Sequence, residues 1–174
     1  MSYFLGMEIY QGPRDIFLCQ KKYANEVLKK FSMGNCKPVD TPLVPSQKLS
    51  KEDGAKKIDE GVYRSLIGCL LYLIATRLDL MYTTNLLSRF NSKPSEIHFK
   101  AAKRVLRYVK GTIELGIWFR RSEKFSLIGY LDDDWVGSID DMRSTSKYIF
   151  FLNSGAFNWW SKKKEMVAQP MAEA

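Results

Sequence analysis

Apolar residues recur every three to four positions along several stretches of the chain, which is the period of an amphipathic α-helix. Residues 21–33 carry one apolar face and end at a Gly-Asn pair, so they predict a first helix. Residues 62–75 are apolar on several faces and predict a buried second helix. Residues 79–90 predict a third, with Tyr82, Leu86 and Phe90 on its apolar side.

A fourth helix has the clearest start and end signals. Ser95 suits the N-cap, and His98 follows three residues later, where a capping box would have Glu. The helix is predicted to run to about residue 110, and Gly111 suits its end. Its predicted core stripe is Ile97, Ala101, Val105, Tyr108 and Val109. We assign His98 to the helix start rather than to catalysis, because no Ser or Cys nucleophile motif accompanies it.

β-branched and aromatic residues bounded by turn residues predict strands at both ends of the chain. Residues 3–10 and 16–20 predict an N-terminal hairpin around a turn containing Gly-Pro. Residues 126–131, 145–152 and 156–161 predict a three-stranded antiparallel meander, in which an Asn-Ser-Gly turn joins the last two strands. Strands at the two ends and helices between them indicate an α+β fold.

The segment between the first two helices differs from its surroundings. Residues 36–61 contain three prolines and many Ser, Lys and Asp residues, and predict an extended connector.

Composition limits the classes of protein that the chain could be. The chain has 174 residues, a net charge of +8 and a pI of about 9.3, which favours a polyanionic partner. Three cysteines without a C-x-x-C pair, and one histidine, do not suit a zinc site. They are typical of reduced thiols, and we expect an intracellular protein, cytoplasmic or nuclear. The longest apolar stretch, residues 66–75, is about half of a membrane span, so we expect no membrane partner.

Three adjacent carboxylates, Asp132, Asp133 and Asp134, follow the first strand of the predicted meander. Carboxylates this close repel one another unless they are solvated or share a cation. One interpretation is therefore an ordinary solvated turn. The other is a site for Mg²⁺, which prefers oxygen ligands and can clamp the oxygens of a phosphodiester when two ions are present.

The same region resembles a known family. The segments GYLDDDWVG, DDMRSTSKYIFFLNSGAFNWWSKK and VAQPMAEA are similar, in this order, to GY-x-D-x-DWAGD, DRRSTSGYVFFL, ISWSSKKQ and VALSSTEAEY at the start of the RNase H domain of copia-type retrotransposon Pol polyproteins. FLGMEI, CKPVDTPL, YRSLIGCLLYLIATRLDL and HFKAAKRVLRYVKGT extend the resemblance over nearly the whole chain. The resemblance implies a fragment that runs from the end of reverse transcriptase into RNase H.

The resemblance also implies a domain organisation. Residues 1–35 correspond to the end of the reverse-transcriptase palm and its first helix, and residues 36–61 to the connector. Residues 62–124 correspond to a helical region like the thumb and connection. Residues 125–174 correspond to a truncated RNase H-like domain, and the remainder of the Pol polyprotein is the implied protein partner.

The resemblance carries over few catalytic residues. Asp132 matches the family's first metal-binding aspartate and so implies a catalytic residue and a Mg²⁺ ligand. Glu173 aligns with the first Glu of TEAEY, whereas the metal-binding Glu more closely corresponds to the second. No YVDD-type polymerase motif occurs, Leu78 replaces the proline of TRPD, and Lys147 replaces the glycine of STSGY. We therefore expect this fragment to be catalytically inactive on its own.

The fourth helix carries a set of cations outside its core stripe, and these have two interpretations. The five cations are Lys100, Lys103, Arg104, Arg107 and Lys110. They could contact the backbone of an RNA–DNA hybrid, the nucleic acid that the family handles, with strongly salt-dependent affinity. They could equally form an ordinary solvated face.

Three hypotheses for function follow. The chain is an inactive relic of a Pol polyprotein, a basic module that binds nucleic acid, or a residual Mg²⁺-dependent ribonuclease that cleaves RNA–DNA hybrids. Binding that weakens with salt favours the second hypothesis. Mg²⁺-dependent cleavage that is lost in Asp132→Asn favours the third, and the absence of both favours the first.

Overall fold

The computed structural model describes residues 2–45, 47–134 and 145–163, with the side chains of residues 133, 134 and 163 left out. The strands are β1 (Ser2–Phe4), β2 (Met7–Gln11), β3 (Asp15–Cys19), β4 (Gly116–Arg120), β5 (Leu127–Asp134), β6 (Thr145–Leu152) and β7 (Gly155–Lys163). The helices are α1 (Lys21–Lys30), α2 (Glu60–Leu73), α3 (Met81–Ser88) and α4 (Glu96–Gly111), with a 3₁₀ turn at Leu78–Leu80. The α+β prediction is confirmed.

The N-terminal strands belong to a four-stranded antiparallel sheet of order β1-β2-β3-β4. The predicted single strand over residues 3–10 is wrong, because Leu5 and Gly6 form a turn with φ values of 47° and 72°. Glycine adopts this left-handed region at little cost, so Gly6 allows the chain to reverse there. Strand β4 was not predicted. Its partner β3 is distant in the sequence, so no local turn signal indicates the pairing.

The four helices enclose the hydrophobic core. Its fully or almost fully buried members are Ala24, Val27, Leu28, Leu49, Tyr63, Leu66, Ile67, Leu70, Leu73, Leu80, Leu87, Phe90, Ala101, Ala102, Val105, Leu106 and Val109. The helix predicted over residues 21–33 ends earlier, at Lys30, and Ser32 has a φ of 57°. Helix α2 begins where the Asp59 carboxylate accepts a hydrogen bond from the Val62 N–H at 2.7 Å.

The prediction for residues 79–90 needs two corrections. The segment is a 3₁₀ turn followed by a shorter helix, and α3 buries Thr83, Thr84 and Leu87 rather than Tyr82 and Leu86. The two threonines are small enough for α3 to approach its neighbours closely. Tyr82 and Leu86 are half-buried beside this face.

The C-terminal strands form the predicted antiparallel meander, of order β5-β6-β7. Strand β6 has the predicted bounds, whereas β5 and β7 extend further than predicted. The sheet lies against α3, where the Asn85 side-chain amide donates to the Ser161 carbonyl at 3.1 Å and Arg89 donates to the Thr145 hydroxyl at 2.9 Å. A few polar contacts therefore attach this sheet to the helices.

The remaining sequence predictions concern the thiols and the membrane. Cys19, Cys36 and Cys69 are all free thiols. Across the described ranges, no helix combines the length and the apolar character that a membrane crossing requires.

Candidate nucleic-acid interface and metal position

Helix α4 presents its buried and its basic residues on opposite sides. Ala101, Val105 and Val109 are buried in the core, as the sequence pattern predicted. The five cations lie about 120° or less apart around the other side, given 100° per residue. From Lys100 to Lys110 the stripe they form, here called the basic stripe, rises about 15 Å at 1.5 Å per residue.

The connector holds two members of the basic stripe. Arg107 Nε donates to the Lys37 carbonyl at 2.7 Å, and an Arg104 NH₂ group donates to the Thr41 hydroxyl at 3.0 Å. These bonds place the connector along α4. They also use one donor of each guanidinium, which has five N–H donors in all.

The three lysines of the basic stripe are not the residues that bond to Lys37 and Thr41 of the connector. Lys100 is exposed, while Lys103 and Lys110 are half-exposed. The ammonium of Lys103 lies 4.7 Å from the centroid of the Phe99 ring, one turn earlier in the helix. In the part of the chain that the structure describes, none of the five cations forms an ion pair with a carboxylate. The exposed carboxylate of Glu96 is on the same side of α4, one turn before Lys100, so the stripe is predominantly but not exclusively positive.

The start of α4 confirms the role predicted for Ser95 and His98. The Ser95 N–H donates to His98 Nδ1 at 3.1 Å, and the His98 N–H donates to the Ser95 hydroxyl at 3.4 Å, which together make a capping box. The other ring nitrogen, Nε2, lies 3.0 Å from the Ser50 carbonyl and donates to it. The His98 side chain therefore accepts the hydrogen bond from the N-cap N–H that Glu usually accepts in a capping box, and it also binds the connector.

Asp53 joins this cluster, and a Ser, a His and an Asp consequently lie together. The Ser95 hydroxyl donates to the Asp53 carboxylate, which also accepts from the Ala55 N–H at 3.0 Å. The hydrogen bond from Ser95 lowers the pKa of Asp53, with smaller contributions from Ala55 and His98. Both Ser95 and His98 are fully buried, so the arrangement is a cap and a connector anchor rather than a nucleophile.

Asp132 lies inside β5 and not beyond its end, so the expectation that the carboxylates follow the strand is wrong. Residues 132–134 continue the pairing with β6, in which Asp132 is opposite Lys147. The side chain of Asp132 is 72% exposed, and its Oδ2 atom lies 3.3 Å from Lys147 Nζ.

The described side chains at Asp132 do not by themselves form a metal site. No three His, Cys, Asp or Glu side chains lie together within the described residues. The group bonded to the Asp132 carboxylate is itself a cation. Glu173 lies outside the described residues, as do the side chains of Asp133 and Asp134. The Mg²⁺ ligand role inferred from resemblance stays a prediction.

Lys147 is the residue at this position that sequence reasoning missed. Its signal was present, because Lys147 replaces the glycine of STSGY in the family motif. The position of Asp132 opposite it depends on the strand register, which was not predicted residue by residue.

Comparison with known proteins identifies relatives along the entire chain. A retrovirus-related Pol polyprotein from transposon RE1 of Arabidopsis thaliana is 41% identical over 174 residues, which are 100% of this chain and 12% of the relative. A Pol polyprotein from transposon TNT 1-94 of Nicotiana tabacum is 37% identical over 98% of this chain and 13% of its own length. An uncharacterized mitochondrial protein of Arabidopsis thaliana, AtMg00810, is 37% identical over 99% of this chain and 72% of its own length.

The α+β fold and the similarity over the whole chain place this protein among relatives of transposon Pol polyproteins. The chain belongs to the family of retrovirus-related Pol polyproteins from copia-type transposons. It spans about an eighth of the length of the Pol polyproteins that it matches, 12% for RE1. No family model matches the chain, and no solved structure gives a significant match.

Proposed function

We propose that this chain is the segment of a copia-type Pol protein that joins reverse transcriptase to RNase H, and that it binds RNA–DNA hybrid through the basic stripe of α4. The observation that carries the proposal is a row of five cations, none of them in an ion pair within the described residues, along one side of a helix whose other side is fixed in the core. A rigid row of cations suits a phosphate backbone, because neutralised phosphates release their counterions.

The domain organisation inferred from resemblance is part of this proposal. Residues 1–35 and 62–124 share one core and one sheet, because β4 pairs with β3 and α1 packs against α4. The palm-like end and the thumb-like region would therefore present the basic stripe as one body. Residues 125–174 would be the start of RNase H, attached to α3 by the contacts of β6 and β7.

The remainder of a Pol protein is the proposed protein partner. Among the described residues β5 is an edge strand of its sheet, and its apolar side chains are exposed, with Leu131 84% and Leu127 57% accessible. An exposed apolar edge strand favours pairing with further chain. We propose that downstream Pol residues cover this edge, and that the described segment has no nuclease activity without them.

Fluorescence anisotropy with a labelled RNA–DNA hybrid tests the binding proposal. The test variant replaces Lys100, Lys103 and Lys110 by Gln, and leaves both arginines and their bonds to the connector in place. We expect the variant to bind at least tenfold more weakly at low salt. In the unmodified chain the slope of log K against log salt should reflect roughly three to five phosphate contacts, at about 0.9 per contact in duplex DNA.

A matched control separates the stripe from net charge. Lys29, Lys56 and Lys93 are exposed lysines elsewhere, and replacing them by Gln removes the same three charges. We expect this control to bind the hybrid within about threefold of the unmodified chain. Equal loss in both triple variants would mean that binding follows net charge alone, and would contradict a role for α4. Binding that does not weaken with salt would contradict the phosphate mechanism.

A further inference from the structure

We propose that the ammonium of Lys147 occupies the cation position beside Asp132 and keeps divalent metal ions from binding there. The inference rests on the proposed relation of residues 125–174 to RNase H. It goes further, because it gives one side chain on a neighbouring strand the role of excluding divalent ions from Asp132.

The register of the β5–β6 pair places Lys147 next to Asp132. In the β5–β6 pair, Asp132 and Lys147 are directly opposite, so their side chains leave the sheet on the same face. Nζ lies 3.3 Å from Oδ2. Opposite charges at opposed positions of an antiparallel pair attract, and the backbone pairing keeps them close.

The same ammonium has a second contact, with a residue of α3. Lys147 Nζ lies 4.7 Å from the centroid of the Tyr82 ring, which belongs to α3. The Lys147 side chain is only 22% exposed, whereas that of Asp132 is 72% exposed. The lysine therefore contacts both a carboxylate and an aromatic face, an arrangement that suits a cation.

The resemblance implies what this side chain replaces. The family motif STSGY has glycine where this chain has Lys147, and glycine brings neither a side chain nor a charge. Lysine brings a positive charge to this position. A divalent ion approaching Asp132 would meet this charge at short range, and even at the dielectric constant of water such repulsion weakens binding about tenfold or more.

The test measures Mn²⁺ binding to the full chain by water-proton relaxation, which reports bound metal without any reaction. Lys147→Met removes the charge and keeps most of the aliphatic stem, and Lys147→Gln is a second charge-removing variant in case the first folds poorly. Lys147→Arg keeps the charge. We expect the Met and Gln variants to bind Mn²⁺ at least tenfold more tightly than the unmodified chain and the Arg variant.

The double variant Lys147→Met with Asp132→Asn locates any gain. We expect it to return to the affinity of the unmodified chain. A gain that persists in the double variant would overturn the inference, because the metal would then bind elsewhere. Equal affinity in the Met, Gln, Arg and unmodified proteins would overturn it too.

Hybrid binding is measured on the same variants. If the hybrid does not bind while the Mn²⁺ gain appears, the proposed role of α4 fails and the inference about Lys147 stands. If the hybrid binds and the gain is absent, the reverse holds.

Discussion

Arg77 holds both carboxylate oxygens of Asp79, two residues later in the chain, with Nε–Oδ1 at 3.0 Å and NH2–Oδ2 at 2.7 Å. The guanidinium also donates to the carbonyl and the hydroxyl of Thr112, at 2.9 and 2.7 Å. Its side chain is 4% exposed. One residue between α2 and α3 thus binds the residue after α4, and this explains why Arg and Asp stand two apart in the TRLD segment.

Arg77→Met should lower the free energy of unfolding by about 2 kcal/mol, because it leaves the half-buried carbonyl and hydroxyl of Thr112 without the buried guanidinium, whereas Asp79 is partly exposed and stays solvated. Urea denaturation followed by circular dichroism measures the change. Arg121→Met removes an exposed arginine and should change stability by less than about 0.5 kcal/mol. A similar small change for Arg77→Met would mean that the four bonds contribute little.

His98→Glu should destabilise the protein by about 2 kcal/mol, although Glu is the usual residue of a capping box. The position is fully buried, and the Ser50 carbonyl 3.0 Å from Nε2 needs a donor that an ionised Glu lacks. The Phe90 ring is stacked on the imidazole with the ring centroids 3.8 Å apart, so an apolar face would lie against the charge.

His98→Gln is the matched comparison, because Gln can accept from the Ser95 N–H and donate to the Ser50 carbonyl. We expect it to be more stable than His98→Glu by at least about 1 kcal/mol in thermal or urea denaturation. If His98→Glu is the more stable of the two variants, the cost of burying a charge does not explain why this cap has His rather than Glu.

Local patterns predicted the elements whose causes are local. The cap at Ser95 and the bounds of β6 depend on neighbouring residues, and both are confirmed. The predicted core stripe of α4 is confirmed at Ala101, Val105 and Val109. Ile97 and Tyr108 are only half-buried, and the buried Ala102 and Leu106 were not predicted. Strand β4 depends on β3, and the buried face of α3 depends on which helices surround it, so neither could be obtained from periodicity. The contact of Lys147 with Asp132 depends on the register of the β5–β6 pair. This register becomes known only once the two strands are paired, so a local sequence pattern does not predict it.

Acidification should weaken the attachment of the connector to α4. The pKa of Asp53 is lowered in the folded state, first by the Ser95 hydrogen bond, so the folded state gains stability from the ionised carboxylate. This stability is fully present above the unfolded pKa of about 4 and is lost as the pH falls through the folded pKa. Urea midpoints between pH 6 and pH 3 measure the loss.

Asp53→Asn should show a shallower fall of the midpoint over the same pH range, since Asn does not titrate. Glu52→Gln removes an adjacent exposed carboxylate and should keep the pH dependence of the unmodified chain. If Asp53→Asn and the unmodified protein fall in parallel, the lowered pKa does not contribute to folding.

Residues 125–174 should not fold when they are separated from the helices. Their sheet exposes Leu127, Ile128 and Leu131, and its buried Thr145 is bonded to Arg89 of α3. Thermal circular dichroism of the isolated peptide should show no cooperative transition, whereas the full chain should show one. A sharp transition of the peptide would show that the sheet is stable without α3.

The hydroxyl of Ser154 accepts from the Arg120 N–H at 2.9 Å and donates to the Trp118 carbonyl at 3.4 Å. Both groups belong to β4, one of the two edge strands of the first sheet as described. A turn from the second sheet thereby blocks the place where a foreign strand could attach and start a fibril. Protection of the β4 edge against aggregation therefore comes from the turn between β6 and β7. It would be lost whenever the C-terminal sheet detaches.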